Sequence, residues 1–310
     1  MSWNNIHKSM TGYDFKKEFS FKDVFGFTFK KGKDIESSSV VDLPRPWIWT
    51  RVLVIFVALI LVNFFATQTV GVLIFPYLSI LMAAVIPMTI LTFLFEISGQ
   101  EKLKILDLLL IFIFGSALSI ISVAFTGFST GVAVIDPMII SITEELAKII
   151  PIFLALRYFK VKSLGLAFVV GFTVGAGFQV IETMGYSTCF GLVGLFNDGE
   201  LDYSVMWSRL FGSVGSHALW GAIEAFAIMI AKKETYTSAL NDKRFWIWIA
   251  IPVLGHYFWD LIALSNLPDW VSIILFAWIQ LAFIMLLVLL LRVIIQSNLK
   301  PKEATDDEVK

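Results

Sequence analysis

The chain has 310 residues, 57% of them hydrophobic and only 16% charged, with a mean hydropathy of +0.81. A soluble domain carries about a quarter charged residues, so this composition excludes an ordinary soluble globular protein. The net charge of −1 selects no partner, and the single cysteine, Cys189, excludes a disulfide framework, a cysteine-based zinc site and an iron–sulfur cluster.

Residues 1–46 form a polar, basic tail. In it Phe15, Phe19, Phe21, Phe25, Phe27 and Phe29 alternate with Lys16, Lys17, Lys22, Lys30 and Lys31. Phe21, Phe25 and Phe29 have the spacing of one helical face, which suits a basic amphipathic segment on an anionic inner leaflet. A disordered tail in which Gly26 breaks any helix explains the same residues. With so long a polar stretch first, the initial apolar run is expected to stay as an uncleaved anchor rather than a signal peptide. Trp47 and Trp49 suit the headgroup zone.

Eight apolar stretches follow, at 50–75, 77–97, 105–126, 133–157, 163–186, 204–231, 245–264 and 270–296. Each is long enough to cross a bilayer core of about 30 Å. The expected architecture is all-α: a polytopic membrane helical bundle over 47–296, with the 1–46 tail and a 297–310 tail both cytoplasmic. Of the 24 Lys and Arg, all but Lys148 and Arg209 fall in or beside segments that this count places inside. The longest external connection, 187–203, carries Asp198, Glu200 and Asp202 instead. That is the positive-inside pattern without a violation. Gly171, Gly175, Gly212, Gly215 and Gly221 are expected where helices approach closely.

The ionisable residues within these spans carry the functional argument. Each costs roughly 2.5–3.5 kcal/mol near the bilayer centre. They are Glu144, Glu145 and Lys148 in span four and Glu182 in span five. Span six holds Arg209, His217 and Glu224, and span seven holds His256 and Asp260. Charged and unpaired they would cost well over ~10 kcal/mol together, so they must face one another or water. Lys148 lies four residues after Glu144 and three after Glu145, so it can neutralise one carboxylate. The other is left crowded and desolvated, the setting from which a general base for water activation is drawn. Asp136-Pro137 reads as an N-cap and first helical residue, which puts Glu144 ~10 Å below the outer helix end. Pro151 frees the carbonyl of Ala147 and favours a kink. Arg209 reaches the depth of Glu182, and Asp260 is placed to orient His256.

For the Glu144–Glu145–Lys148 group the alternative is an ion pair that glues helices, and for either histidine alone it is an interhelical hydrogen bond. Two histidines on consecutive spans facing a double glutamate favour chemistry, whereas Glu224 reads as structural. Other signatures fail. Gly127-Phe128-Ser129-Thr130-Gly131 fits G-x-S-x-G but lacks the strand–turn–helix setting. There is no H-E-x-x-H and no paired-aspartate site. Ser216 next to His217 on a helix points about 100° away from it.

These residues resemble the PrsW family of intramembrane proteases, within the wider group that includes the CAAX prenyl endopeptidases. E-E-x-x-K stands as Glu144-Glu145-Leu146-Ala147-Lys148, and a phenylalanine four residues before a glutamate as Phe178 and Glu182. Arginine then histidine appears as Arg209 and His217, and H-x-x-W-[ND] as His256 to Asp260. Aspartate at 260 replaces a common asparagine. The resemblance covers roughly residues 80–265. It implies hydrolysis of membrane-anchored regulatory proteins, in some members an anti-sigma factor cut on the extracytoplasmic side. Glu144 and Glu145 would bind and activate water, His217 would share that role or shuttle a proton, and His256 with Asp260 would stabilise the oxyanion. Lys148, Phe178, Glu182 and Arg209 would support them. A divalent metal such as zinc on Glu144, Glu145, His217 and His256 is left open. The expected partners are a membrane-anchored protein substrate and the lipid bilayer of the cell membrane, not nucleic acid. A non-catalytic membrane scaffold and a proton-coupled transporter are the competing readings, and the transporter is disfavoured by the lack of inverted repeats.

Overall fold

The computed structural model describes residues 48–97, 103–126, 129–265 and 267–299. The basic aromatic tail expected at 1–46 lies outside the described residues, as does nearly all of the tail at 297–310. The described chain is all-α, with nine α-helices and two short 3₁₀ turns among the described residues. These are α1 (Ile48–Val70), α2 (Phe75–Ile97), α3 (Ile105–Thr126), α4 (Ile135–Tyr158), α5 (Leu164–Asp198), α6 (Ser204–Phe211), α7 (His217–Ala231), α8 (Lys243–Ala263) and α9 (Asp269–Leu299). Five stretches are long and apolar enough to cross a membrane: α1 with the 3₁₀ turn after it, α2, α5, α8 and α9. The apolar parts of α3 and α7 are shorter, and α4 carries Asp136, Glu144, Glu145, Lys148 and Arg157.

Helix α5 is the axis of the bundle. It packs against α2 and α3 on one side and α7 on the other, while α4 and α8 close around α7. Glycine permits this. A Cβ at Gly171 would strike the carbonyl of Gly221, and one at Gly175 would strike the carbonyl of His217. Across the helix, Gly177 meets the backbone of Phe112, and Gly115 of α3 meets that of Val174. Without side chains between them the backbones touch, and van der Waals contact replaces the hydrophobic drive that lipid cannot supply. The expected close approaches at Gly171, Gly175 and Gly221 are therefore present. Gly212 and Gly215 instead make room for Trp259 and for Phe283 and Gln280.

Three expectations need correcting. The 187–203 connection is mostly helix: α5 runs 35 residues to Asp198, about 52 Å at 1.5 Å per residue, well beyond the bilayer core. The polar residues do not end the helix, which waits for Gly199 in the left-handed conformation (φ 78°). The chain then doubles back, with Asp202 N–H donating to the Gly191 carbonyl at 3.3 Å, and brings α6 alongside α5.

The second correction concerns span six, which is two helices with a break at Gly212–Ser216. Two glycines and two serines in five residues weaken helix propensity. The freed backbone is satisfied by side-chain amides: Gln179, buried, donates to the Ser213 carbonyl (3.1 Å) and accepts from Ala218 N–H (3.0 Å). Gly215 N–H donates to Gln280 (2.8 Å). Non-helical backbone at membrane depth survives only with such partners. Third, Asp136 is not the N-cap of α4, which is Val134. Its carboxylate instead accepts from Ser129 Oγ (2.7 Å), Thr130 N–H (2.8 Å) and Thr130 Oγ1 (2.5 Å). Through Pro151, α4 continues unbroken to Tyr158.

Candidate active site

The polar residues scattered over five helices in sequence form one buried chain in space. On α4 the paired glutamates diverge. Glu145, fully buried, pairs with Lys148 one turn on, and its other oxygen lies 2.8 Å from His256 Nδ1 and 3.4 Å from His217 Nδ1. Glu144 is also buried, but its Oε2 has no hydrogen-bond partner, and the nearest imidazole nitrogen, His256 Nε2, is 3.9 Å away. Lys148 thus serves Glu145, leaving Glu144 the loosely held acid.

His217 is the first residue of α7, placed by the break before it and not in mid-helix. Lys148 Nζ lies 3.3 Å from its Nδ1. An ammonium only donates, so that nitrogen accepts, and the proton sits on Nε2, facing Glu182 Oε2 at 2.8 Å. Glu182 on α5 is held in turn by Arg209 of α6 at 3.1 Å, and the Arg209 guanidinium lies over the Tyr186 ring at 4.1 Å. Phe178, one turn before Glu182, packs its ring 4.9 Å from His217. On α8, His256 Nε2 lies 3.2 Å from Asp260 Oδ2. The chain of contacts therefore runs Arg209, Glu182, His217, Lys148, Glu145, His256, Asp260. Glu224 is fully buried further along α7, on the side of Lys148 and Glu145, with neither oxygen hydrogen-bonded.

A cleft with room for about one water molecule lies over this chain. Its walls include Glu182, Arg209, His217, Trp220, Trp259 and Asp260. Trp220, which the sequence reading passed over, packs against both histidines. Its ring centroid is 4.7 Å from that of His217 and 5.0 Å from that of His256, and Lys148 Nζ is 5.5 Å from it. The signal was present, since Trp220 is three residues after His217 and shares its helix face. Gln179, buried, and Gln280, half-buried, were also missed; an amide in an apolar run is costly, so the criterion applied to charges would have flagged them.

Among the described residues, Glu144, His217 and His256 each offer a ligand atom, and these atoms lie within 4.8 Å of one another. A point at the centre of such a triangle is at most about 2.8 Å from each corner, the hydrogen-bond distance of a water molecule. Two imidazoles and a carboxylate are also a donor set of catalytic zinc sites. The unpartnered Glu144 Oε2 fits that role, and four carboxylates (Glu144, Glu145, Glu182, Asp260) here face two fixed cations, Lys148 and Arg209. Ligation by either histidine would take a nitrogen from its present partner.

Residues 46–291 match the family described as PrsW family intramembrane metalloprotease. Neither a curated protein nor a solved structure gives a match.

Proposed function

This chain belongs to the PrsW family of intramembrane metalloproteases, and from that premise we propose that it cleaves membrane-anchored regulatory proteins with a water activated at Glu144. The chain is a membrane hydrolase; the substrate class and residue roles are the proposal. The observation that carries it is the asymmetry of the two glutamates. Glu145 is spent on Lys148 and His256, whereas Glu144 is buried with an oxygen free, across a water-sized gap from both histidines.

In this reading Glu144 removes a proton from the water as its oxygen attacks the peptide carbonyl carbon, and the carbonyl electron pair moves onto oxygen. Glu144 then delivers that proton to the leaving amine. Arg209 fixes Glu182, Glu182 fixes the His217 tautomer, and Asp260 and Glu145 fix the His256 ring from both sides. Glu144, His217 and His256 would hold a divalent cation such as zinc, which supplies a Lewis acid for water activation when bound.

Eight crossings, with α6 and α7 together as the sixth and both termini cytoplasmic, accord with the Lys and Arg distribution. Glu144 is then about 14 Å from the outer end of α4, and His217 about 21 Å from the inner end of α7. The pocket is nearer the outside, which favours extracytoplasmic cleavage of an anti-sigma-factor-like protein in the plasma membrane.

Membrane proteomes of cells carrying the native chain and Glu144→Gln test this. At least one membrane-anchored protein is expected to accumulate uncut with Glu144→Gln, its cleavage slowed about 10²–10⁴-fold, while the variant inserts normally. Cleavage undiminished in Glu144→Gln would overturn the reading.

A further inference from the structure

Hydrolysis through a tetrahedral intermediate needs a donor aimed at the developing oxyanion, and the candidates first expected are already engaged. His256 meets Glu145 through Nδ1 at 2.8 Å and Asp260 through Nε2 at 3.2 Å. A donation by His256 to substrate would strip a carboxylate of its partner. His217 lies against Glu182 through Nε2 at 2.8 Å and against Lys148 through Nδ1 at 3.3 Å. Arg209 is held by Glu182 and Tyr186. The backbone N–H groups of Gly215 and Ala218, beside the helix break, go to Gln280 and Gln179.

Among the donors lining the pocket, the Trp220 indole is buried and unspent. Trp220 is 1% exposed, and its indole Nε1 has no hydrogen-bond partner. The indole can donate and cannot accept, so it suits an oxyanion and cannot be satisfied by another donor. A buried donor left unpaired is costly, and such groups in native proteins call for an explanation. Its ring is fixed by His217, His256 and Phe283, so the N–H is held in place before substrate arrives.

We infer that Trp220 is a catalytic residue whose indole N–H donates a hydrogen bond to the scissile carbonyl oxygen as it becomes an oxyanion. This rests on the hydrolase reading above. No proton leaves the indole: the carbonyl π pair moves onto oxygen as the water oxygen bonds to carbon, and returns when the C–N bond breaks. The water proton travels by Glu144 to the amine.

The test uses the purified full-length chain in detergent and the membrane protein that accumulates uncut with Glu144→Gln. Trp220→Phe keeps the aromatic ring and removes the N–H. It is expected to lower kcat about 10²-fold with KM changed less than about threefold. Replacement of Trp220 by benzothienylalanine, which exchanges only N–H for sulfur, is expected to do the same at unchanged thermal stability. Near-native kcat in the sulfur isostere would overturn the assignment and leave Trp220 a packing residue, even if Trp220→Phe proves unstable. If Glu144→Gln cleaves as well as the native chain, the hydrolase reading fails instead.

Discussion

Helices α5 and α9 are of similar length, 35 and 31 residues, and both are apolar enough to cross a bilayer. Their surroundings are opposite. Of the most apolar 18-residue stretch, 89% is buried in α5 and 11% in α9. Hydropathy does not make the difference, because α9 is the more hydrophobic of the two. Glycine does: α5 carries Gly165, Gly171, Gly175, Gly177, Gly185, Gly191 and Gly194, and α9 has none. In lipid an apolar side chain gains little by turning inward, so the helix that occupies the centre is the one whose backbone its neighbours can approach. Large side chains such as Ile273, Trp278, Met285 and Leu289 keep α9 facing outward. The same central position lets α5 hold Phe178, Gln179 and Glu182 against the site.

A substitution at Gly175 breaks this difference most severely. A Cβ there collides with the carbonyl oxygen and carbon of His217 and with the Cα of Ala218. These are backbone atoms at the start of α7, and they cannot rotate aside. Gly175→Val is therefore expected to push α7 outward and His217 with it. Overpacking of this kind costs about 1–3 kcal/mol or more, and displacement of His217 should abolish cleavage. Thermal unfolding in detergent and cleavage of the accumulated substrate check both effects. A Gly175→Val chain of native stability and activity would remove glycine from the explanation.

The residues of the site were legible in the sequence because the membrane makes a buried charge expensive. Glu144, Glu145, Lys148, Glu182, Arg209, His217, His256 and Asp260 stand out against apolar surroundings, and the structure brings all of them together. Which glutamate is free was not legible. Lys148 at i+3 from one and i+4 from the other suits both, and only the position of His256 on α8 distinguishes them. The limits of α5 and α6 were illegible for a different reason. Hydropathy reports contact with lipid, while helices continue or break according to backbone hydrogen bonds. The partners that allow the break at Gly212–Ser216, Gln179 and Gln280, come from helices far away in sequence.

A smaller effect is expected at Gln280, which interrupts the apolar run from Ile273 to Leu291 on α9. Its Oε1 accepts from Gly215 N–H at 2.8 Å. Gln280→Leu should leave that N–H unpaired at membrane depth, at a cost of about 1–3 kcal/mol, and loosen the segment that presents His217. A lower thermal midpoint together with a reduced kcat is expected. A loss of stability with native kcat would show that the break does not position the histidine.

The smallest effect should come from the lipid-facing side of α9 itself. Leu289 is 55% exposed, so Leu289→Ala removes apolar surface that lipid solvates in the folded chain and would solvate equally in an inserted but unpacked helix. The transfer contribution that makes Leu→Ala cost about 2–5 kcal/mol in a water-soluble core is then largely absent, and little cavity is created where acyl chains can fill the space. A change within about 0.5 kcal/mol and native kcat is expected, measured beside Gly175→Val in the same detergent. A large destabilisation by Leu289→Ala would mean that α9 buries this face against something other than lipid. The contrast with α5 would then be one of partner and not of environment.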